Sequence, residues 1–417
     1  MSDNCHRRTT CRLCGSADLT PVLSLTPSPP ANAFVTADQV GVDQQTFPLE
    51  LFFCDECAHV QMLDVVDPRV LFENYVYVSG TSPVFVQHFK DYASALVDRF
   101  VAAPAGRMAI DIGSNDGTLL AAFKDHGMPV LGIDPAKDIA ADATARGIET
   151  LPTFFTAGLA ADLKKARGEA TVITANNVFA HADDLADIAD GIHMLLAPDG
   201  VFVFEVSYLV DVYEKTLFDT IYHEHLAYHS VKPLVDFFAR HGLKLFAAER
   251  VDSHGGSLRA FVGRADGPWA EDGSVQAMIE TEAALGLHQA GTYVEFSRNI
   301  DRIGAELRAE LDRLKADGKS IAGFGAPAKA TTLMYHFGIG ADVIDFIVDD
   351  SPLKQGLYAP GMHIPVVPSD ELYERRPDAV VILAWNFAEP IMKNHAAYQS
   401  DGGTFIVPLP TVEIYGS

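Results

Sequence analysis

Short apolar runs alternate with amphipathic stretches along the middle of the chain. Residues 130–134, 171–177 and 201–206 each predict a strand. The last of these runs is rich in β-branched and aromatic side chains, as strands buried on both faces are. Helical patterns separate these runs. Strands joined by helical crossovers predict a parallel sheet, and we expect it in a domain that spans residues 71–300.

The same alternation returns near the end of the chain. A helix with charged faces is expected from residue 299 to about 317, and strands are expected at residues 343–348 and 379–384. These elements predict a second Rossmann-like domain over residues 301–417. Together with a cysteine-rich segment at residues 1–70, they predict an α/β protein of three domains, as the length of 417 residues allows.

A glycine turn opens the first helix of the middle sheet. Its pattern is Asp-x-Gly-x-Asn-x-Gly, and glycine lets backbone N–H groups approach a ligand closely. Ligands of such sheets lie beyond the carboxyl ends of the strands, where Asp134 is suited to bind a ribose diol. The predicted cofactor residues are Asp111, Gly113, Asn115, Gly117, Asp134, Asn176 and Asn177.

The spacing of this turn discriminates between cofactors. It departs from the dinucleotide fingerprint and resembles motif I of the S-adenosylmethionine (SAM) methyltransferases, so we favour SAM over a nicotinamide or flavin cofactor. The helix dipole contributes only about 0.3–1 kcal/mol at such a turn. Shape and hydrogen bonds must therefore supply most of the affinity for this cationic donor.

A histidine-rich segment follows the strand at residues 201–206. Tyr222, His223, Glu224 and His225 are consecutive in it, and His181 follows the two amides. Imidazole titrates near pH 6.5 and accepts a proton at neutral pH, and a positioned base contributes roughly 10²–10⁴-fold to a rate. We therefore expect acid–base chemistry, with His223 and His225 equally suited as the base.

Other interpretations of these residues stay open. If the segment is extended, His223 and His225 face the same side and could bind a metal ion; a hydrogen-bonded structural loop is the second alternative. Tyr75 and Tyr77 could form a lid over the donor. The glycine turn at residues 253–259 has polar neighbours, and no chemistry is assigned to it.

A second glycine turn, of the form G-x-G-x-x-A, opens a helix in the C-terminal domain. Taken alone it resembles a dinucleotide site, and Lys329 at the helix start suits a phosphate group. A second cofactor would be unusual in one chain, whereas a nucleotide-bearing substrate would not. A degenerate half-fold used only for packing is the alternative.

The cysteines indicate a metal site. All five lie within the first 57 residues, which a disulfide-stapled domain of this length would not show. Two C-x₂-C pairs can each offer two thiolates to one tetrahedral ion, and four thiolates leave no open coordination position. A structural zinc ion is therefore favoured over metal-free or redox-active thiols. The predicted ligands are Cys11, Cys14, Cys54 and Cys57, with Cys5 left over and His59 a conceivable substitute.

Composition and charge disfavour several classes of function. The net charge of −25 repels phosphate backbones, which disfavours nucleic-acid binding. The sequence contains no run of about 18 apolar residues, so it predicts no membrane span. The N-terminus lacks the apolar region of a signal peptide. We therefore expect a cytoplasmic protein. The lack of a heptad seam favours a monomer.

The combined motifs resemble a known family. The two C-x₂-C pairs, the Asp-x-Gly-x-Asn-x-Gly turn, the Tyr-His-Glu-His run and the Gly-Phe-Gly-Ala-Pro-Ala-Lys turn are similar to those of the SAM-dependent C-3′-methyltransferases of dTDP-linked deoxysugars. The resemblance covers nearly the whole chain. The chain is also similar to members that act on a 3-amino-4-keto-2,3,6-trideoxy sugar.

The resemblance implies a mechanism. The 4-keto group acidifies the hydrogen at C-3, a base removes it, and the enolate carbon attacks the methyl group of SAM. In the family the base is the last histidine of the run, here His225, while Glu224 and Tyr222 orient the base or the sugar and His181 contacts the oxygen. The family's C-terminal domain holds the dTDP group. This implies substrate contacts at Gly323, Gly325, Ala326, Pro327, Lys329, Asp349 and Asp350.

Two other activities use similar motifs. An O- or N-methyltransferase needs only a hydroxyl or amine to be deprotonated, so it requires no enolate-forming base. A nicotinamide-dependent oxidoreductase of nucleotide sugars would use the C-terminal glycine turn instead.

Overall fold

The computed structural model describes residues 4–72, 80, 83–253 and 255–416. Over these residues the chain forms four sheets: two small ones near the N-terminus, a seven-stranded sheet in the middle and a six-stranded sheet at the C-terminus. The predicted α/β class and its three-part order are confirmed. None of the helices in these ranges combines the length and the apolar character that a membrane crossing requires.

The N-terminal part consists of antiparallel strands followed by two helices. These elements are β1 (Cys5–Arg7), β2 (Leu19–Ser28), β3 (Phe47–Cys54), β4 (Val60–Met62), β5 (Asp64–Val66), α1 (Pro68–Phe72) and α2 (Pro83–Phe100). β3 pairs with β2 and β4, and β1 pairs with β5. The apolar side chains of β3 and β4 are buried, so this small unit packs onto the rest of the molecule.

The middle part is a seven-stranded sheet with helices on its faces. Its elements are β6 (Met108–Ile112), α3 (Thr118–Asp125), β7 (Val130–Ile133), α4 (Lys137–Ala145), β8 (Thr150–Leu151), α5 (Ala157–Arg167), β9 (Ala170–Asn176), α6 (Leu185–Leu195), β10 (Leu196–Ser207), α7 (Leu209–Glu214), β11 (Ala227–Tyr228), α8 (Val231–Arg240), β12 (Leu243–Val251), β13 (Ser257–Arg264), α9 (Ser274–Ala284) and α10 (Ala290–Ala316). The strand order is β12-β13-β10-β9-β6-β7-β8. The predicted cofactor residues lie at or just beyond the carboxyl ends of the central strands β6, β7 and β9.

This sheet is not wholly parallel, which corrects the expectation. β13 runs antiparallel to both of its neighbours, β10 and β12. A short connection containing Gly255 and Gly256, at φ +94° and +129°, joins β12 to β13. Parallel neighbours need a crossover of a dozen or more residues, so a connection this short makes an antiparallel hairpin.

β11 lies apart from the middle sheet. It comes from the histidine-rich segment and pairs antiparallel with β4 of the N-terminal part, with Ala227 opposite Gln61 and Tyr228 opposite Val60. The resulting four-stranded sheet has the order β11-β4-β3-β2. The N-terminal module and the histidine-rich segment thus share one sheet.

The C-terminal part is a second open sheet. Its elements are β14 (Ile321–Phe324), α11 (Ala328–Phe337), β15 (Ile347–Val348), β16 (Val366–Val367), α12 (Glu371–Arg375), β17 (Ala379–Ile382), α13 (Ala388–Asn394), α14 (Ala396–Ser400), β18 (Thr404–Val407) and β19 (Glu413–Tyr415). The order is β16-β15-β14-β17-β18-β19, with β19 antiparallel. The strand expected at residues 343–348 is shorter, because the N–H groups of Val343 and Ile344 donate to the carbonyl of Gly340 in a turn.

Helix α11 joins all three parts. It packs on β2 and against the short 3₁₀ helix Phe218–Thr220. The Thr331 hydroxyl donates to the carbonyl of Ala31 at 3.1 Å, and the Thr332 hydroxyl donates to that of Ile221 at 2.9 Å. The histidine-rich segment is therefore held between the N-terminal module and the C-terminal sheet.

Candidate functional site

The four predicted cysteine ligands converge. Their Sγ atoms lie within 4.8 Å of one another, with Cys11 3.7 Å from Cys57 and Cys14 3.5 Å from Cys54. A tetrahedral ion with Zn–S bonds of about 2.3 Å places its sulfur atoms roughly 3.8 Å apart, so the geometry fits zinc. Among the described residues this is the one group of three or more ligating side chains close enough to hold a metal ion.

Both cysteine pairs form tight knuckles. The N–H of Gly15 donates to the carbonyl of Cys11, and that of Ala58 donates to the carbonyl of Cys54, at 3.0 and 2.8 Å. Gly15 and Ala58 both have positive φ. His59 lies outside the cluster, where its ring stacks on His229, and burial holds its pKa well below the usual range.

The first glycine turn has the conformation that its sequence predicts. Gly113 has φ +71°, and a Cβ there would lie 2.3 Å from a methyl group of Val178. The Asp134 carboxylate accepts the N–H groups of Asn115 and Ala136, each at 2.8 Å. Asp134 therefore holds the turn in place from the end of the neighbouring strand.

Gly117 ends the turn and caps α3, with φ +78°. Asp111 lies at the base of the turn, almost fully buried, and its carboxylate accepts the hydroxyl hydrogen of Thr174 at 2.7 Å. Burial, aided by the nearby charge of Asp134, raises the pKa of Asp111 to about 7.

The two amides end β9 at the same edge. The side-chain nitrogen and oxygen of Asn176 are buried, with no hydrogen-bond partner among the described residues. Asn177 has φ +54° and donates its N–H to the carbonyl of Glu205 at 2.7 Å. Buried polar atoms are normally hydrogen-bonded, so the unpaired amide of Asn176 fits a polar cofactor such as SAM. The groups suited to hold SAM are the backbone of the glycine turn and the side chains of Asp134 and Asn176.

His181 and His225 meet in a cleft beside these amides. The cleft is lined by Asn177, Ala180, His181, Val206, Ser207, His225, Ala227 and Tyr228. The two imidazole rings are stacked with centroids 5.0 Å apart, and the Tyr222 ring lies 4.2 Å from that of His225. His225 Nδ1 is 2.7 Å from the carbonyl oxygen of Thr220. Because a carbonyl only accepts, this contact places the proton on Nδ1.

His181 remains neutral at neutral pH. The Nε2 edge of its ring is buried, with no hydrogen-bond partner in the described part of the chain. Burial, with the neighbouring His225, holds the pKa of His181 well below its usual range. A neutral imidazole can donate one hydrogen bond, so His181 Nε2 is suited to a substrate oxygen.

The segment that carries His225 is turned rather than extended. The N–H of His225 donates to the carbonyl of Tyr222 at 2.8 Å. His223 consequently faces away from the cleft and contacts the carbonyl of Phe47 at 3.2 Å, and burial lowers its pKa to about 4. The two histidines do not share a face, and the cleft contains only His225 of the pair.

Glu224 connects this segment to the N-terminal module. Its carboxylate accepts a hydrogen bond from the side chain of Asn32 at 3.0 Å, and the residue is buried. Asn32 lies in the proline-rich spacer between the cysteine pairs. No spacing rule in the sequence could identify Asn32, because its role depends on a partner far along the chain.

The second glycine turn repeats the construction of the first. Gly325 has φ +86°, and a Cβ there would lie 2.5 Å from that of Ala384. Asp349 accepts the N–H groups of Ala326 and Ser351 at 2.6 and 2.8 Å, as Asp134 does in the middle sheet. Both sheets thus hold a glycine turn by a carboxylate at the end of the next strand.

The lysine that the sequence predicted to contact a phosphate at this turn points elsewhere. Lys329, two residues after Pro327, points to the buried Asp219, with its ammonium 3.6 Å from the carboxylate and 4.1 Å above the Trp385 ring. Lys354 instead donates to the carbonyl of Ala326 at 2.7 Å, and sequence reasoning missed it. The turn therefore has its nearest cation in Lys354.

The remaining predicted residues lie nearby or outside the described part. Gly323 lies within β14 and packs against Leu383, and the Asp350 carboxylate accepts the Ser369 hydroxyl. Tyr75, Tyr77 and His254 of the 253–259 turn lie outside the described residues.

Comparisons with known proteins agree with this architecture. Family models described as a zinc binding domain, a methyltransferase domain and a C-methyltransferase C-terminal domain match residues 11–72, 85–248 and 252–410. C-methyltransferase NovU of Streptomyces niveus is 35% identical over 400 residues, which are 96% of this chain and 95% of that protein.

Solved structures match less than half of the chain. The PH0226 protein of Pyrococcus horikoshii OT3 is 13% identical with a TM-score of 0.36, over 45% of this chain and 94% of its own. The SAM-bound magnesium protoporphyrin IX methyltransferase ChlM of Synechocystis PCC 6803 is 14% identical with a TM-score of 0.32, over 46% and 86%.

Proposed function

Because the chain belongs to the zinc-containing, SAM-dependent C-methyltransferase family, we propose that it methylates C-3′ of a dTDP-linked 4-keto, 3-amino deoxysugar in antibiotic biosynthesis. The observation that carries this proposal is the stacked pair of His181 and His225, in a cleft at the carboxyl ends of β9 and β10. An enolate-forming reaction needs a base and an oxygen-binding donor side by side, and these two rings supply both.

His225 is the base. Its Nδ1–H is bound by the carbonyl of Thr220, so Nε2 carries the lone pair that takes the proton from C-3. The fixed tautomer removes the need for the ring to reorient before proton transfer. SAM, when bound at the first glycine turn, supplies the methyl group as an electrophile for the enolate carbon.

His181 binds the keto oxygen and stabilises the enolate. Its depressed pKa keeps the ring neutral, and in the tautomer with the proton on Nε2 this N–H donates a hydrogen bond without competing with His225 for the substrate proton. A donor aimed at developing negative charge is worth roughly 10²–10³-fold in kcat. Tyr222 packs on the base, and Glu224, bound to Asn32, fixes the turn that carries it.

The dTDP group binds at the second glycine turn. The positive φ of Gly325 leaves the backbone of the turn open to a phosphate, and Lys354 places a cation beside it. Gly323, Ala326, Pro327, Asp349 and Asp350 line or support this turn. Lys329 bridges from the turn toward the 3₁₀ helix that precedes Tyr222, which is the direction in which the sugar must extend.

The test is a His225→Asn variant. We expect turnover to fall by roughly 10²–10⁴-fold, the contribution of a positioned base, while calorimetric titrations with SAM and with dTDP give wild-type affinities. Solvent deuterium should also stop entering C-3 of the substrate. His126→Asn, at an exposed histidine, is the control.

Three results would contradict the proposal. Unchanged turnover in His225→Asn would exclude it as the base. A product methylated at oxygen or nitrogen, with no exchange at C-3, would favour an O- or N-methyltransferase. Binding of NAD in place of SAM would favour the oxidoreductase.

A further inference from the structure

We propose that Arg12, in the first cysteine knuckle, is a positioning residue that fixes the relative placement of His181 and His225. The inference rests on the proposed roles of those two histidines. It gives the metal module, which is the N-terminal unit of strands β1 to β5 with the four cysteine ligands, a function in the reaction besides folding.

The Arg12 side chain is completely buried and reaches the loop that carries His225. Its Nη1 donates to the side chain of Gln61 at 3.1 Å, to the carbonyl of Met62, and to the carbonyl of Leu226 at 3.4 Å. Leu226 directly follows His225. One nitrogen of the guanidinium thus holds the metal module and the His225 loop together.

The same guanidinium reaches the loop that carries His181. Its Nη2 lies 3.2 Å from the carboxylate of Asp183, two residues beyond His181. The two loops also meet directly, because the N–H groups of Leu226 and Ala227 both donate to the carbonyl of Ala180, at 2.9 and 3.1 Å. Arg12 therefore contacts both loops close to the point where they meet, and each loop carries one histidine of the cleft, His181 or His225.

Arginine is better suited than an apolar residue to hold two loops together at position 12. A buried cation is costly unless it is paired and hydrogen-bonded, and an apolar residue between the cysteines would avoid that cost. The planar guanidinium, however, lets Nη1 donate a hydrogen bond to the His225 loop while Nη2 forms an ion pair with Asp183 of the His181 loop. Since Arg12 lies between Cys11 and Cys14, a metal ion bound by these cysteines would hold the backbone of Arg12 in place.

A small displacement of the base has a large effect on rate. A shift of about 1 Å in a reacting group can cost on the order of 10²-fold. Loss of Arg12 should therefore slow proton transfer without weakening the glycine turns, neither of which it contacts.

The experiment uses Arg12→Gln and Arg12→Lys in the full chain. In Arg12→Gln we expect kcat and the rate of deuterium exchange at C-3 to fall together by roughly 10–10²-fold, with the zinc content, the SAM affinity and the KM for the sugar of the wild type. Arg12→Lys should recover part of the loss, since its ammonium reaches one loop. Arg7→Gln is the matched control, because the ion-pair partners of Arg7, Glu50 and Asp64, both lie in the metal module.

The outcomes separate this inference from the proposed function. Wild-type kcat in Arg12→Gln, or loss of zinc or of the fold in both Arg12 variants, would overturn the positioning role. Full activity in His225→Asn would instead overturn the proposed function itself. An equal fall in kcat and in deuterium exchange in Arg7→Gln would show that any disturbance of the metal module slows the reaction, and it would also overturn the inference.

Discussion

His223 and His225 show how a single turn divides two identical residue types. His225 has its Nδ1–H on the carbonyl of Thr220 and lines the cleft, whereas His223 reaches the N-terminal module at Phe47. The residue types alone left the two equally suited as the base. The N–H···O bond from His225 to Tyr222 rotates one ring toward the cleft and the other away from it.

Asp111 gives a prediction about pH. Its pKa is raised to about 7, so the carboxyl group is ionised above that pH and neutral below it. The cationic donor should bind best to the ionised form, and SAM affinity should therefore fall as the pH drops through about 7. Calorimetric titrations with SAM at pH 8.5 and 6 measure the effect.

Two variants sharpen this prediction. Asp111→Asn should bind SAM weakly, with an affinity that no longer changes as the pH passes through about 7. Thr174→Val removes the hydrogen bond that lowers the pKa of Asp111, so the midpoint should move to higher pH. An unaltered pH profile in both variants would exclude Asp111 as the titrating group.

Residues whose roles follow from local spacing could be predicted from the sequence. The cysteine pairs, the glycine turns and the residues at strand ends belong to this class, because a few neighbouring positions determine their geometry. Arg12, Asn32, Asp219 and Lys354 could not be predicted, since each depends on a partner brought close only by the tertiary fold. The domain bounds and the roles of the site residues stay predictions.

At the scale of elements, the two strand–turn–helix units have the same construction. Each has a glycine with positive φ whose N–H donates to a carbonyl of the next strand, Gly113 to Ile133 and Gly325 to Val348, at 2.7 Å in both. An aspartate then accepts N–H groups of the turn. The likeness of construction makes the two turns suitable for a matched comparison.

Alanine substitution in each turn should separate the two ligands. Gly113→Ala places a Cβ against Val178, and Gly325→Ala places one against Ala384, both at positive φ, where an L side chain is strained. Gly113→Ala should lower SAM affinity by about tenfold or more and leave dTDP binding unchanged, since strain of roughly 1–2 kcal/mol is involved. Gly325→Ala should do the reverse.

Parallel calorimetric titrations of both variants with SAM and with dTDP check this result, and each variant serves as the control for the other. Loss of both ligands in either variant would indicate that the turns are not independent sites. Wild-type dTDP binding in Gly325→Ala would favour the degenerate half-fold that packs without binding.

At the scale of the whole molecule, one buried ion pair links the C-terminal sheet to the histidine-rich segment. The Asp219 carboxylate accepts the indole N–H of Trp385 at 2.6 Å and faces Lys329. Burial raises the pKa of Asp219 and lowers that of Lys329, so each charge depends on the other. Asp219 precedes Thr220, whose carbonyl binds the base.

Lys329→Met should therefore destabilise the protein by about 3–5 kcal/mol, because it leaves a buried carboxylate without its cation. The double variant Lys329→Met with Asp219→Asn should recover much of that loss. Chemical denaturation of the wild type, both single variants and the double variant measures the coupling. Additive losses would show that the pair does not interact.

The sharing of a sheet between β4 and β11 has a consequence for synthesis of the chain on the ribosome. All four cysteine ligands emerge early, so the knuckles can take up zinc while translation continues. The strand that covers the edge of β4 emerges only after most of the middle sheet. Until then β4 presents an open edge of the kind that pairs with other chains, so a nascent chain stalled before Ala227 should be prone to aggregation even with its metal site complete.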